Sequence, residues 1–279
     1  MSISGYAMKI IIAGPVMDVR KYYTARLAGT RLPRRKNTAP TSAQQALINE
    51  KNSIRKLEYL ILANFTRDDI RLDLTFGGIE PSPEEAKKEV DKFLRKLRKL
   101  YRDKGHELKW IGVMEHDKHR VHQHFILNDI GLRRADYDAL WPHAAINHKG
   151  FKPFDGGEQD AHRVAKYFVK ETKHTYNKEG EVQKHRWRSS RNLVRPIEIT
   201  KTIHAKAWRD DPKPKKGYYV ARVDNEPDYN GNPHQYYRMI RDDNHEPAQT
   251  KGKRDVHHTS KPATAGRHRR RSGKHDTGQ

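Results

Sequence analysis

The sequence predicts an α+β fold with a sheet that is at least partly antiparallel, and three stretches carry that prediction. Residues 70–76 alternate apolar and polar side chains, the pattern of a half-buried strand. Residues 82–101 set apolar side chains at helical spacing behind an N-terminal cap. Residues 108–127 read as two strands joined by a charged loop, and strands joined by a tight hairpin run antiparallel.

The elements follow in order. A short apolar patch from Met8 to Ala13 gives way to a basic stretch with Arg31, Arg34, Arg35 and Lys36 among prolines. Residues 1–54 are therefore expected to be a basic N-terminal extension that ends in the start of a helix. From 42 to 63 there is no Gly or Pro, and Leu47, Ile54, Leu57, Leu60 and Ile61 recur near helical spacing, so a helix belongs here. Asn64 to Asp69 turn the chain into the strand at 70–76, which Gly77-Gly78 ends. Ser82, Pro83 and Glu85 form a helix start, with Ala86, Val90, Phe93, Leu94, Leu97 and Tyr101 as the buried stripe. After Gly105 come the strand at 108–115, a loop over 116–120 and the returning strand at 121–127. Short helices are expected over 135–140 and 160–172. Basic strand-like segments follow at 184–188, 217–223 and 235–240. From about 244 apolar residues almost vanish, and such a segment cannot offset its ordering entropy by burial, so 244–279 is expected to be a disordered basic tail.

Composition narrows the function. Of 279 residues only 34% are hydrophobic, 57 Lys and Arg face 35 Asp and Glu, and the formal charge is +22. With a mean hydropathy of −1.07 and a pI near 10.0, such a surface attracts polyanions, nucleic acid first. No apolar run approaches the ~20 residues of a spanning helix, and Ile10 to Ala13 is too short for a signal-peptide core. No membrane association is expected. There is no cysteine, which excludes a disulfide framework and a thiolate zinc site and fits a reducing, cytoplasmic compartment. Any metal must use His, carboxylate or water.

The residues with most chemistry to offer begin at His122-Gln123-His124. Side chains alternate along a strand, so His122 and His124 share a face and can chelate one divalent ion, with Gln123 on the other face. Glu115, at the end of the preceding strand, would be brought near that face by the hairpin. Asp117, His116 and His119 are rival third ligands. Two imidazoles and a carboxylate suit Mg²⁺, Mn²⁺ or Zn²⁺ with open positions for water or phosphate oxygens. Downstream, Arg163, Tyr167 and Lys170 fall on one face of the 160–172 helix, at i, i+4 and i+7, away from its apolar stripe. Tyr167 is a candidate nucleophile, its phenolate favoured by neighbouring positive charge. Arg163, Lys166, Lys170 and the later Arg186, Arg188 and Arg191 are candidate phosphate contacts.

Taken in order, Leu72-Asp73-Leu74-Thr75-Phe76, Glu115 with His122-Gln123-His124, and Tyr167-Phe168-Val169-Lys170 resemble the three motifs of HUH endonucleases, the rolling-circle replication initiators of phages, plasmids and integrative elements. Leu62-Ala63-Asn64-Phe65, Trp141 and Trp187 to Leu193 also look like the bacterial branch, and the resemblance spans roughly residues 55–240. It implies an endonuclease domain over 55–243 with a central antiparallel sheet of about five strands flanked by α-helices, the histidines on a middle strand. It implies His122, His124 and Glu115 as ligands of Mg²⁺ or Mn²⁺, Tyr167 as nucleophile and Lys170 as its cationic helper. Such proteins bind single-stranded or hairpin origin DNA, nick one strand, keep a 5′-phosphotyrosine and leave a 3′-OH for a polymerase. Two departures stand out. Gln123 replaces a bulky apolar residue, so the opposite strand face is expected to be wetter. A single helix tyrosine leaves resolution of the covalent intermediate to a second protomer of a dimer or to water.

Conjugative relaxases and single-strand transposases use the same chemistry. No Gly-x-x-x-x-Gly-Lys-Ser/Thr loop is present, so unwinding would fall to a host helicase. Two readings of other kinds remain: a basic nucleic-acid-binding protein without catalysis, and a metal nuclease that activates water instead of tyrosine.

Overall fold

In the computed structural model, which describes residues 5–24, 42–78, 80–117, 120–146, 149–172, 185–205, 207–228 and 230–242, the chain builds two antiparallel five-stranded sheets and four helices among those residues. The described residues belong to one unit, Met1–Asn244. The tail expected from 244 onward lies outside them.

The N-terminal stretch corrects the sequence reading. Instead of an extension, β1 (Gly5–Ala13) and β2 (Val16–Thr24) form a hairpin. Gly14 turns it at φ +55°, and a Cβ there would lie 2.0 Å from the Leu62 carbonyl oxygen. Only glycine accepts both that conformation and that approach. The hairpin is core: Ala13 and Val16 are buried against α1 (Ala43–Leu62), whose Ser42 side chain caps the Gln45 amide. The continuous apolar run at Ile10 to Ala13 hid the strand because one side chain of each pair faces α1 and the other the sheet's outer surface. Gly14-Pro15 between two apolar-rich stretches was the available turn signal.

The second half of the expected fold stands as read. β3 (Ile70–Thr75) leads to α2 (Pro83–Asp103), which starts in a reciprocal capping box between Ser82 and Glu85. β4 (Trp110–Asp117) and β5 (Arg120–Leu127) are the predicted hairpin, with Glu115 opposite His122 and Val113 opposite His124. After α3 (Arg134–Asp138) come the short β6 (Phe151–Pro153), α4 (Glu158–Glu171) and the short β7 (Arg188–Ser189). These strands form the sheet β6-β3-β5-β4-β7, which places β5 in the middle. Of the expected strand at 184–188, only its last residue joins the sheet.

The remaining strands complete the other sheet. β8 (Ile197–Ile203), β9 (Tyr218–Asp224) and β10 (Gln235–Arg241) join the hairpin in the order β8-β1-β2-β10-β9. The sequence predicts one central sheet; a second sheet is present, and two of its three inner strands come from the supposed extension.

The faces of the β5 sheet are divided by alternation. Leu72, Leu74, Phe125 and Leu127 pack with Phe93, Leu97 and Tyr101 of α2. Gln123 is on this side and only 5% exposed, so the expected wetting does not occur. Ile111, Val113 and Ile126 face α1 and α4, packing with Leu57, Ile61, Val164 and Phe168. The polar residues of interest sit on that same face, beyond its apolar part.

Candidate active site

Each side chain of this centre is delivered by alternation on a strand or by a helix face. β3 contributes Arg71 and Asp73, β4 contributes Glu115, and β5 contributes His122 and His124, all opposite the α2 layer. α4 crosses above them with Phe168 in the core and Tyr167 beside it, at the core's margin. Glu171, one turn on from Tyr167, adjoins Glu115.

His124 is the hub. Its Nδ1 lies 2.8 Å from Asp73 Oδ1 and its Nε2 2.8 Å from Glu115 Oε2. The Tyr167 hydroxyl is 3.1 Å from the same Nε2 and 3.5 Å from Glu115 Oε2. The two imidazoles of β5 lie nearly parallel, 13° between planes, with ring centres 6.3 Å apart. Tyr167 meets the His124 ring edge-on at 5.1 Å.

Electrostatics follow from this packing. Burial works against charge on His124, but its bonds to Asp73 and Glu115 outweigh burial and push it up to about 9. The bond to His124 holds Glu115 down to about 2, against burial. Glu171 is raised, first by burial and then by the hydrogen-bonded Glu115. Tyr167 is raised well above its usual value by burial and by the charges of Glu115, Glu171 and Asp73, with Arg71 opposing. The sequence predicts cations around this phenol; the structure surrounds it with carboxylates.

The cationic residues named from sequence are not brought to the phenol. Lys170 is 76% exposed in its side chain, with Glu171 at 3.9 Å as its charged neighbour. Arg163 bonds Asp160 at 2.5 Å and Asp155 at 3.0 Å, which ties down the start of α4. Lys166 is exposed. Arg186 donates to the Val169 carbonyl at 3.4 Å. Arg188 pairs with Asp91 at 2.5 Å and lies over the Trp110 ring. Arg191 is exposed, in the wall of a cavity shared with Arg98 and Arg102. Of the rival third ligands, His116 falls on the opposite strand face by alternation, while His119 and the side chain of Asp117 lie outside the described residues.

Asp73, Arg71 and Glu171 were not singled out from sequence. The signal for the first two was present: if Leu72 and Leu74 face the core, Arg71, Asp73 and Thr75 must share the other face. Glu171, one turn beyond Tyr167, was equally legible on the helix.

The donor set suits a divalent ion that prefers imidazole and carboxylate. Among the described residues, however, no three His, Asp or Glu side chains converge to hold one. His124 spends both ring nitrogens on protein partners.

The fold and this centre define an α+β protein with a linked imidazole, carboxylate and phenol site where a middle strand meets a helix. Residues 71–172 match a family model described as a replication-associated protein of the ORF2 type. The matched span contains every residue of the centre and supports a replication-associated role. No curated protein and no solved structure gives a significant match. Among the described residues no helix is long and apolar enough to cross a membrane.

Proposed function

We propose that this chain starts rolling-circle DNA replication by nicking one strand of an origin through Tyr167. The observation that carries the proposal is the contact of the Tyr167 hydroxyl with His124, 3.1 Å away, inside the span that matches the replication family.

In the proposed reaction the phenolic oxygen bonds to phosphorus and the bond from phosphorus to the 3′-oxygen breaks. The 5′ side stays on the enzyme as a phosphotyrosine, and the 3′-oxygen takes up a proton to become the hydroxyl that a polymerase extends. Asp73 fixes the tautomer and orientation of His124 by accepting from Nδ1, turning Nε2 toward the reacting hydroxyl. The phenol proton has acceptors within reach in His124 Nε2 and Glu115 Oε2. His122, His124 and Glu115 are the residues that would hold Mg²⁺ or Mn²⁺, after His124 gives up its present contacts. When bound, such an ion supplies Lewis-acid polarisation of the phosphodiester. Host helicase and polymerase are the partners this reading requires, and a second protomer or water would release the adduct.

The test is to incubate the protein with single-stranded fragments of the DNA element that encodes it, plus Mn²⁺ or Mg²⁺, and look for a covalent adduct on a denaturing gel. Wild type gives the adduct; Tyr167→Phe loses it and keeps DNA binding. An adduct that survives in Tyr167→Phe refutes this nucleophile. Cutting without any adduct transfers the proposal to water activation, and binding that never leads to cutting refutes catalysis.

A further inference from the structure

Two cavities of about 190 and 430 Å³ open where the β2 and β10 side of the first sheet meets α1 and α4, and both have Arg20, Arg55 and Tyr236 in their walls. Arg20 comes from β2 and Arg55 from α1, and both are half-buried. Five carboxylates also line these cavities, and every one is engaged elsewhere. Asp18 accepts from Tyr59 at 2.6 Å, from Tyr236 at 3.0 Å, and from two nitrogens of Arg238 at 2.8 Å. Glu58 is taken by His162 and Arg238, each at 2.8 Å, and Glu158 by Arg238 at 3.0 Å. Glu198 pairs with Lys9 at 2.7 Å, and Asp224 accepts the Glu226 amide at 3.2 Å.

That accounting leaves cations over. Among the described residues Arg20, Arg55 and Lys56 have no carboxylate within ion-pair distance, and Arg222 has only the Tyr236 ring, 5.8 Å away. Arg20 is disfavoured as a cation first by burial and then by the charge of Arg55. Half-buried guanidinium groups that repel one another favour an incoming anion, and their forked donors match phosphate oxygens in pairs.

We propose that this cleft seats a backbone phosphate of the DNA strand, a contact separate from the nicking centre and made by arginines outside the span of the family match. The inference rests on the DNA-nicking reading. Helix α4 supplies the link, since His162 in the cleft wall precedes Tyr167 by five residues, about 7 Å along the axis. A strand held at Tyr167 reaches the cleft within a few nucleotides, each advancing about 3.4 Å. The contact is to the backbone, so it positions the strand and reads no base.

The experiment measures binding of the full chain to a fluorescent single-stranded oligonucleotide of mixed sequence over a range of salt. The double variant Arg20→Gln/Arg55→Gln is compared with Lys96→Gln/Lys99→Gln, which removes the same charge from exposed positions of α2. Loss of two phosphate contacts lowers the slope of log affinity against log salt by about 1.4, and Arg55→Gln alone by about 0.7. The α2 pair should move it by less than half as much. Equal effects of the two double variants overturn the proposal. If the arginine double variant unfolds, Arg55→Gln alone decides, and an unchanged slope overturns. Thermal melts in inorganic phosphate separate the sources: stabilisation of wild type but not of the double variant, with an unchanged DNA slope, makes this a small-anion site and overturns the DNA contact. If wild type does not bind the oligonucleotide at all, the nicking reading fails first.

Discussion

His124 shows how one residue's surroundings determine what it contributes. Bonded to Asp73 and Glu115, it favours the protonated form, and its folded value of about 9 lies above the 6.5 of an unconstrained imidazole. A group whose value rises on folding stabilises fully below its unfolded value and loses that contribution as pH climbs through the folded one. Metal-free protein should therefore lose on the order of 2 kcal/mol between pH 6.5 and about 9, as read by urea unfolding. Glu115 behaves in the opposite sense: held down to about 2, it contributes above its ordinary 4.5 and stops contributing as pH falls toward 2. Asp73→Asn should flatten the alkaline loss. It should also slow metal-dependent cleavage roughly 10- to 100-fold, since Asp73 orients His124 and does not itself touch DNA. A variant with wild-type cleavage and an unchanged pH profile removes Asp73 from that positioning role.

Among the elements, the β1–β2 hairpin depends most on a single backbone position. Gly14 adopts φ +55° with the Leu62 carbonyl oxygen 2.0 Å from where a Cβ would stand, so Gly14→Ala must shift the hairpin or the end of α1. The expected cost is about 2–3 kcal/mol in chemical denaturation. A loss below half of that would mean the turn relaxes freely. The other turns and helix starts were easier to read because their signals are local. The capping box of α2 needs only Ser82 and Glu85, and the half-buried β3 displays its alternation in six residues. β8 was missed because nearly all its residues are exposed and neither face is marked by apolar alternation. β6 was missed because three residues carry no period at all.

Across the whole molecule, Arg238 of β10 joins the two halves of the chain. It reaches Asp18 on β2, Glu58 on α1 and Glu158 on α4 at 2.8–3.0 Å, so one guanidinium connects the first sheet to both helices that flank the second. Asp18 and Glu58 are nearly excluded from solvent, and removing their cation leaves buried charge behind. Arg238→Gln should cost about 3–5 kcal/mol in equilibrium unfolding. A cost of less than about 1 kcal/mol would show that water or side-chain rearrangement replaces the network.

Read alone, the sequence determined what depends on near neighbours: the α+β class, the main helices, the β4–β5 hairpin, and the pairing of His122 with His124 on one face. Those follow from periodicity, which a strand or helix enforces wherever it lies in the fold. Tertiary structure decided the rest. It turned an apparent extension into inner strands of a second sheet, because sheet partners more than a hundred residues away in β8 and β10 complete the hairpin. It brought Asp73 and Glu171 to the histidines and left Lys170 in solvent, because strand register and the crossing of α4 decide which charges meet. It also withdrew Arg163 and Arg188 into ion pairs with carboxylates of the protein itself. Net charge predicts attraction to nucleic acid, but only the pairing of each charge shows which cations are left to make the contact.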